Sequence, residues 1–268
     1  RLVSWIHENV TFPCSMVDRI TPRTTEALET EMATYFGHNA QSPVHAEAFI
    51  QWVLEDRFAS DFPDLSKVGV EIVADVVPYE ETKIRILNGG HTGLAYLAAL
   101  AGHDTFDQAM QDQEIRAHFD AWERDEVLIG LDKNIPFDTV AYLGEVSRRF
   151  ENSGIADSLE RICMDGYSKM SIYIRPTLSA CLKLGVLPKA GFDCIASWVV
   201  YTRCVQEGLC KVPYHEPLWD HVAPLLAEGN EMRLANDNEL WGDLPKRYDE
   251  FVPALVAAIE EMDKKWRA

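Results

Sequence analysis

The sequence is organised around the segment Lys83-Ile-Arg-Ile-Leu-Asn88-Gly-Gly-His91-Thr-Gly-Leu-Ala-Tyr96, which places three polar side chains in an apolar, glycine-containing stretch. In a regular α-helix, His91 would lie about 80° and Asn88 about 140° around the axis from Lys83. Glu80, one turn upstream, would fall at about 60°. The four polar side chains therefore share one side of a predicted helix. Because polar groups that face a core must be satisfied or functional, this segment is the first candidate for a catalytic site.

The residue types on this side of the helix are those that oxidation of an alcohol requires. Burial disfavours the charged form of a lysine, so a buried Lys83 can act as a general base near neutral pH. Asn88 offers an N–H donor to a developing oxyanion, and His91 can bind and orient a substrate hydroxyl. A structural interpretation stays open, in which Lys83 extends to solvent, Asn88 bonds to the backbone and His91 is a satisfied core residue.

The composition is that of an ordinary globular protein with an acidic surface. The chain has 268 residues, 47% hydrophobic and 25% charged, and a formal net charge of −18. This charge argues against a nucleic-acid backbone or an anionic membrane as the main partner. No apolar run reaches the roughly 18 residues that a membrane span needs, and the start at Arg1 does not have the pattern of a signal peptide. We therefore expect a cytoplasmic protein that binds neither nucleic acid nor membrane.

The predicted fold is mostly α, with a few short strands near residues 45–75. Residues 68–78 are rich in β-branched side chains and are predicted as a strand, whereas residues 48–58 are predicted as a strand or as a buried segment that ends in charges. Pro176 is expected to kink or shorten its helix. Helical patterns separated by Gly, Pro and Asn cover residues 80–101, 105–130, 136–152, 156–165, 169–184, 190–207, 217–227 and 247–266.

The first forty residues contain an extended piece followed by an acidic helix. Pro13 and Pro22 bracket the extended piece, because the residue before a proline disfavours helix. Asp18 lies inside it, in the dipeptide Asp-Arg, and on pattern alone a structural ion pair is favoured over a catalytic role. The helix that follows has Thr24 or Thr25 as its expected N-cap and ends at Gly37.

A second polar segment is Arg161-Ile-Cys-Met-Asp165-Gly-Tyr-Ser-Lys169. Arg161 and Lys169 are eight residues apart, so they lie near one face if a single helix continues past Gly166. Two cations on the wall of a site can bind hydroxyls or a carboxylate. The alternative is an exposed basic edge in an acidic protein.

Several well-known site motifs are missing from the sequence. It has no G-x-G-x-x-G after a strand, no Walker loop, no G-x-S-x-G elbow and no H-E-x-x-H. None of the six cysteines forms a C-x-x-C pair, so the sequence predicts reduced thiols and no zinc site. The chain alone is therefore not expected to hold a dinucleotide in the usual way.

Three segments together resemble the polyol-specific long-chain dehydrogenases, a family that includes mannitol 2-dehydrogenase, D-arabinitol 4-dehydrogenase and fructuronate reductase. They are the Lys83–His91 stretch with its K-x4-N-x2-H spacing, the Arg161–Lys169 stretch, and Phe12-Pro-Cys-Ser-Met-Val-Asp-Arg-Ile-Thr-Pro22. All three occur in the family's order, and the K-x4-N-x2-H spacing is specific.

The resemblance implies a metal-independent, NAD(P)-linked enzyme of two domains. The N-terminal domain of the family is Rossmann-like and binds NAD or NADP, and the C-terminal domain is multi-helical and carries most of the substrate site. Residues 1–268 are predicted to be the C-terminal substrate-binding and catalytic domain, with the N-terminal Rossmann domain absent from this chain. The missing glycine fingerprint and the missing initiator methionine agree with this, and the chain by itself is expected to be inactive.

The resemblance also assigns catalytic roles, residue by residue. Lys83 would remove the alcohol proton as general base. Asn88 would stabilise the alkoxide, His91 would position a substrate hydroxyl, and Glu80 would be a proton-path or gating carboxylate beside the lysine.

Substrate contacts follow in the same way from the resemblance. Asp18, Arg161 and Lys169 would contact substrate hydroxyls. A further site asparagine of the family lies in an upstream segment that this chain lacks, so its oxyanion pocket is expected to be incomplete.

Two other functions stay open at the level of sequence. A hexuronate reductase, acting between fructuronate and mannonate or tagaturonate and altronate, shares the lysine base and needs a cation for the substrate carboxylate, which Arg161 or Lys169 could supply. A non-enzymatic polyol-binding or interaction module is the other possibility. The sequence does not decide between monomer and dimer, or between NAD and NADP.

Overall fold

The chain folds into two units. The structure is a computed structural model that describes residues 1–39 and 42–267. Its two units are Arg1–Lys83 and Ile84–Ala268. The sequence predicts one domain over residues 1–268; the structure has two units because the strands pair with one another before residue 83, whereas the helices that follow pack on one another. Across the described residues, no helix is long and apolar enough to cross a bilayer.

A three-stranded sheet lies in the first unit. Strand β1 (Ser15–Asp18) pairs antiparallel with β2 (Gln51–Glu55), and β2 pairs parallel with β3 (Glu71–Val73). The extended piece predicted between Pro13 and Pro22 is therefore a strand of this sheet.

The strand predicted over residues 68–78 is much shorter in the structure. A 3-10 turn, Leu65–Val68, precedes it, and Gly69 follows that turn with a φ of 90°. Only Glu71–Val73 remains for β3, since a helix begins at Val77. The β-branched composition of 68–78 predicted the strand, but the positive φ at Gly69 and the helix start limit its length.

The sheet packs on a small apolar cluster of the first unit. Met16 of β1 lies opposite Val53 of β2, and both side chains are buried together with Val76. Val73 and Tyr79 pack against them. Burying side chains of this size stabilises a fold by about 1.5–3 kcal/mol each.

The helices of the first unit follow the predicted caps. The Thr25 hydroxyl accepts a hydrogen bond from the N–H of Leu28 at 3.2 Å, and Gly37 ends the helix with a φ of 70°. Pro78 lies in the first turn of its helix, where a missing N–H is tolerated. These helices are α1 (Leu2–Asn9), α2 (Glu26–Phe36) and α3 (Val77–Thr82).

The second unit consists of helices, some of them with π-helical segments at Ala121–Val127 and Met170–Ile174. Most of the helices predicted from the sequence are present, with ends shifted by a few residues. They are α4 (Gly89–Leu100), α5 (Phe106–Gln111), α6 (Gln113–Asp120), α7 (Leu128–Gly130), α8 (Thr139–Phe150), α9 (Leu159–Cys163), α10 (Gly166–Lys169), α11 (Arg175–Lys183), α12 (Lys189–Gln206), α13 (Trp219–Leu226), α14 (Glu231–Ala235), α15 (Asn238–Trp241), α16 (Leu244–Arg247) and α17 (Phe251–Arg267).

The predicted helix 105–130 is interrupted at Asp112. This residue has an extended conformation, and its carboxylate accepts hydrogen bonds from the N–H groups of Glu114 at 2.9 Å and Ile115 at 3.3 Å. The side chain thus caps a new helix, α6, instead of continuing α5. Pro176 lies in the first turn of α11, directly after a π-helical segment. The helix predicted over residues 169–184 therefore changes type just before this proline.

Three short helices, α14, α15 and α16, were not predicted. The Asp237 carboxylate accepts from the N–H of Leu240 at 2.8 Å and caps α15. Trp241 is buried and its Nε1 donates to the carbonyl of Leu234 at 2.8 Å. Helices of this length are not stable alone, so tertiary packing of these side chains holds them.

The core of the second unit is built on α4 and α12. α12 packs against α4 and α17. Residues of α4 are buried on nearly all sides, as expected for a helix inside a core. The same helix carries the predicted site residue His91 near its start, so the core positions it.

Candidate active site

The predicted catalytic segment lies on a helical run that is not a regular α-helix. α3 leads into a π-helical segment, Lys83–Asn88, and α4 follows directly. A π-helix joins residues five apart by hydrogen bonds, so the angles calculated for an α-helix do not hold over this segment. π-helical turns are rare and often occur at functional sites.

The first unit carries Asp18, Glu80 and Lys83. Lys83 begins the π-helical segment and its side chain is partly buried, whereas Glu80 is exposed in the first turn of α3. Asp18 ends β1, opposite Gln51 of β2, and is buried. The structure therefore places the predicted base at a change of helix type.

Asn88 ends the π-helical segment and is partly buried. Its Oδ1 is buried and accepts no hydrogen bond within the part of the chain that the structure describes. Packing requires a glycine at the second of the two following positions: a Cβ at Gly90 would lie 2.6 Å from Glu123 Oε1, whereas one at Gly89 would lie at an ordinary contact distance of 3.6 Å from the ring of Trp122. A side chain at Gly90 would thus force Glu123 or the helix to move.

His91 is held between aromatic rings. Its ring stacks on Phe150 with centroids 4.4 Å apart and meets Phe106 edge-on at 4.5 Å. Burial lowers the pKa of His91 to about 3, and the nearby cations Arg161, Lys169 and Arg149 act in the same direction, against the carboxylate of Asp157. The imidazole is therefore neutral near pH 7, and can both donate and accept a hydrogen bond.

Arg161 is paired with a buried carboxylate. Its Nε donates to Asp157 Oδ1 at 2.7 Å, and its Nη2 makes a second short hydrogen bond to Asp157 Oδ2. Arg161 is partly exposed, while Asp157 is 4% exposed. The guanidinium thus faces solvent from a fixed position.

Lys169 reaches the same cluster, although not along one helix face. α9 ends at Cys163, and Asp165 has a left-handed backbone with a φ of 55°, so the single helix that would place both residues on one face is not formed. After this turn, Lys169 Nζ donates to the carbonyl of Ile162 at 2.8 Å. Burial lowers the pKa of Lys169, and the positive charge of Arg161 lowers it further.

The second unit therefore brings together His91, Arg161 and Lys169, with Asn88 on the same helical run as His91. Asp157, Phe106 and Phe150, which hold these side chains, were not predicted from the sequence. An acidic residue four positions before Arg161 is a signal that could have revealed the ion pair with Asp157. The aromatic rings come from distant helices and had no such local signal.

Replacing His91 by glutamine is expected to reduce the loss of stability in acid. An unfolded histidine takes up a proton near pH 6.5, whereas folded His91 stays neutral down to about pH 3, so proton uptake favours unfolding between these values. Between pH 6.5 and 4.5 this costs wild type about 2–3 kcal/mol, at about 1.4 kcal/mol per pH unit. Urea denaturation at pH 7 and 4.5, followed by circular dichroism, measures the difference.

A second buried histidine gives the comparison. Burial lowers the pKa of His118 to about 4. His118→Gln should therefore also reduce the loss of unfolding free energy in acid, but over a narrower pH range. If wild type and His91→Gln lose the same free energy of unfolding between pH 7 and 4.5, the neutral buried state of His91 is wrong.

Family models match both parts of the chain. Residues 75–263 match the mannitol dehydrogenase C-terminal domain, and residues 1–67 match the mannitol dehydrogenase Rossmann domain. The helical unit, which carries Asn88 and His91, thus falls within the match to the C-terminal domain model. The chain belongs to the mannitol dehydrogenase family.

Individual relatives agree with the family models. D-arabinitol 4-dehydrogenase of Ralstonia nicotianae is 36% identical over 100% of this chain and 57% of that protein. D-mannonate oxidoreductase of Escherichia coli is 34% identical over 98% of this chain and 55% of that protein. The structure of Pseudomonas fluorescens mannitol 2-dehydrogenase in complex with NAD and D-mannitol superimposes with a TM-score of 0.87 at 34% identity, covering 99% of this chain and 54% of that one.

The chain spans a little over half the length of these relatives. The match of residues 1–67 to the Rossmann-domain model differs from the sequence analysis, which assigned all 268 residues to the substrate domain. The match to the first family model ends at residue 67 and the match to the second begins at residue 75, close to Val73, where the last strand ends.

The turn between β3 and α3 lacks the glycines of a dinucleotide cradle. β3 leads into α3 through Ala74, Asp75 and Val76, with no glycine in this turn. A Gly-rich turn at the start of a helix is what lets the backbone approach a pyrophosphate. The residues of this turn therefore do not fit the pyrophosphate of a dinucleotide in that way.

Proposed function

We propose that the protein oxidises a secondary alcohol of a sugar alcohol to a ketose, with NAD or NADP as cofactor and Lys83 as general base. The observation that carries this proposal is the placement of Lys83 and Asn88 at the two ends of one π-helical segment, followed by His91. Membership of the mannitol dehydrogenase family supports it. The assigned roles of the site residues are part of the same proposal.

The proton-transfer chemistry follows from these three side chains. In its unprotonated form, the amine of Lys83 accepts the proton of the substrate hydroxyl. The Asn88 amide donates a hydrogen bond to the alkoxide oxygen as its charge develops. Neutral His91 hydrogen-bonds a neighbouring hydroxyl and orients the reacting carbon, which its fixed position between Phe106 and Phe150 favours.

The remaining predicted residues have supporting roles in this proposal. Glu80, exposed one turn before Lys83, is suited to carry the proton from the lysine to solvent. Arg161 and Lys169 donate hydrogen bonds to further substrate hydroxyls. The carboxylate of Asp18 accepts a hydrogen bond from a substrate hydroxyl. When bound, NAD(P)+ accepts the hydride. That another domain provides most of its binding site stays a prediction, and so does the absence of a metal.

A hexuronate substrate is the second candidate. D-mannonate oxidoreductase of Escherichia coli is among the relatives, and Arg161 and Lys169 are cations beside His91. Both reactions use the same base, so the substrate's charge is what distinguishes them.

The first test is a substrate comparison with the full-length protein. Reduction of NAD+ and NADP+ is followed with D-mannitol and D-arabinitol, and oxidation of NADH and NADPH with D-fructuronate. We expect turnover of at least one polyol at a higher kcat/KM than the hexuronate. Turnover of the hexuronate alone would replace the polyol assignment, and tight polyol binding without turnover would indicate a binding module.

A further inference from the structure

We propose that Asp157 is a specificity-determining residue, whose ion pair with Arg161 favours a neutral polyol over a sugar acid at the cluster of His91, Arg161 and Lys169. This inference rests on the proposed function, because it assigns a preference between substrates of the same dehydrogenase. Asp157 acts on the substrate through Arg161 and through its own charge.

Asp157 is fixed by both its side chain and its backbone. Its carboxylate accepts Arg161 Nε at 2.7 Å and makes a second hydrogen bond with Nη2 of the same guanidinium. Its carbonyl accepts from the N–H of Phe106 at 2.9 Å, and the neighbouring residue Ser158 forms a β-bridge with Thr105. The negative charge therefore has one defined position beside the cluster.

Both cations keep hydrogen-bond donors for a ligand. The guanidinium has five N–H donors, of which the paired geometry with Asp157 uses two. Arg161 is 37% exposed, so its remaining donors can reach a bound molecule. Lys169 uses one donor on Ile162, at 2.8 Å, and retains others. The cluster is thus well suited to hydroxyl oxygens.

The carboxylates of the cluster reduce its attraction for an anion. Asp157 and Asp165 act on Lys169 with the sign opposite to that of Arg161. Arg149 adds a positive charge that acts on His91. A substrate carboxylate near Arg161 would therefore be attracted by the guanidinium and repelled by Asp157, whereas a neutral hydroxyl needs only the N–H donors.

The decisive comparison uses D-mannitol and D-mannonate, which have the same carbon skeleton and differ in charge. In the full-length protein, Asp157→Asn keeps the shape of the side chain and removes its negative charge. We expect the ratio of kcat/KM for mannonate to that for mannitol to rise by about tenfold or more, which corresponds to 1.4 kcal/mol. A purely structural role would lower both values together and leave the ratio unchanged.

Two variants control for charge and position. Asp157→Glu retains the negative charge, so the ratio should stay near that of wild type even if both activities fall. Asp104→Asn removes one exposed carboxylate of the second unit, paired with Lys211 at 2.9 Å, and should leave the ratio unchanged. A tenfold rise with Asp104→Asn would show that net charge, and not Asp157, sets the preference.

A measurement on wild type tests the inference if Asp157→Asn does not fold. D-mannonate is added as a competitor of D-mannitol oxidation, and its inhibition constant is compared with the KM for mannitol. We expect the inhibition constant of mannonate to exceed the KM for mannitol by about tenfold or more, which corresponds to 1.4 kcal/mol or more. Equal or tighter binding of mannonate would overturn the inference.

The outcomes separate this inference from the proposed function. If wild type turns over neither mannitol nor arabinitol but does turn over mannonate, the polyol assignment fails. If wild type oxidises a polyol and the Asp157→Asn ratio does not change, the polyol assignment stands and the role of Asp157 is wrong.

Discussion

Replacing Lys83 by alanine in the full-length protein is expected to lower the turnover of D-mannitol and D-arabinitol by about 10²–10⁴-fold, the usual contribution of a general base. The lysine begins the π-helical segment that ends at Asn88, so its removal takes away the proposed proton acceptor while the oxyanion donor stays in place. NAD(P)+ reduction measured from mildly acidic to alkaline pH shows the loss. An added primary amine should restore part of the rate, because it can accept the proton in place of the side chain.

Lys67→Ala is the matched control for this experiment. Lys67 is an exposed lysine of the same unit, in an ion pair with Asp64 at 3.2 Å, so the variant loses the same charge. Its turnover should stay within about twofold of wild type, since exposed ion pairs contribute little. If Lys83→Ala is as active as Lys67→Ala, Lys83 is not the base and the central assignment of the site is wrong.

Replacing Trp198 by alanine is expected to lower the free energy of unfolding by about 3–5 kcal/mol. Trp198 on α12 is 0% exposed, and its Nε1 donates to the Tyr214 hydroxyl at 2.9 Å. The indole packs so closely on α10 that a Cβ at Gly166 would lie 2.3 Å from Nε1. The variant therefore leaves a cavity under α10, whose last residue is Lys169, and removes the donor to the partly buried Tyr214 hydroxyl.

Urea denaturation followed by circular dichroism measures this loss without relying on tryptophan fluorescence. Trp5→Ala is the control, because Trp5 is 55% exposed on α1. Its free energy of unfolding should change by about 0.5 kcal/mol or less. Similar small effects of both variants would mean that the packing of α10 on Trp198 contributes little to stability.

Glu216 links the same region to the site cluster. Its buried carboxylate accepts from the Tyr214 hydroxyl at 2.6 Å and from the N–H of Tyr167 at 3.1 Å. These bonds hold the start of α10, whose last residue is Lys169. The position of Lys169 thus depends on a hydrogen-bond network that includes Trp198. We therefore expect Trp198→Ala to disturb the cluster of His91, Arg161 and Lys169 as well as the core.

Local chemistry was enough to predict many element ends. The Thr25 side chain caps the start of α2, and Gly37 ends it with a left-handed backbone. Pro78 lies in the first turn of α3. These signals work because capping and φ restrictions act over a few residues and need no distant partner. For the same reason, the residue types and spacing of the Lys83–His91 segment were enough to mark it as a candidate site.

The change of helix type at this segment could not be predicted in the same way. The K-x4-N-x2-H spacing is compatible with an α-helix, and nothing within the segment requires a π-helical turn. In the structure, Gly90 packs against Glu123, which itself lies in the π-helical segment Ala121–Val127. Contacts of this kind join residues far apart in sequence, so the local pattern carries no sign of them.

The sequence by itself determined the helical class, most helix ends and the residue types available for alcohol oxidation, because hydrophobic periodicity and capping are local properties. Only the tertiary structure decided how those residues are held: the pairing of Arg161 with Asp157, the turn at Asp165 that brings Lys169 back, and the neutral state of His91. These depend on burial and on the distance between charges, and both are set when separate helices pack together.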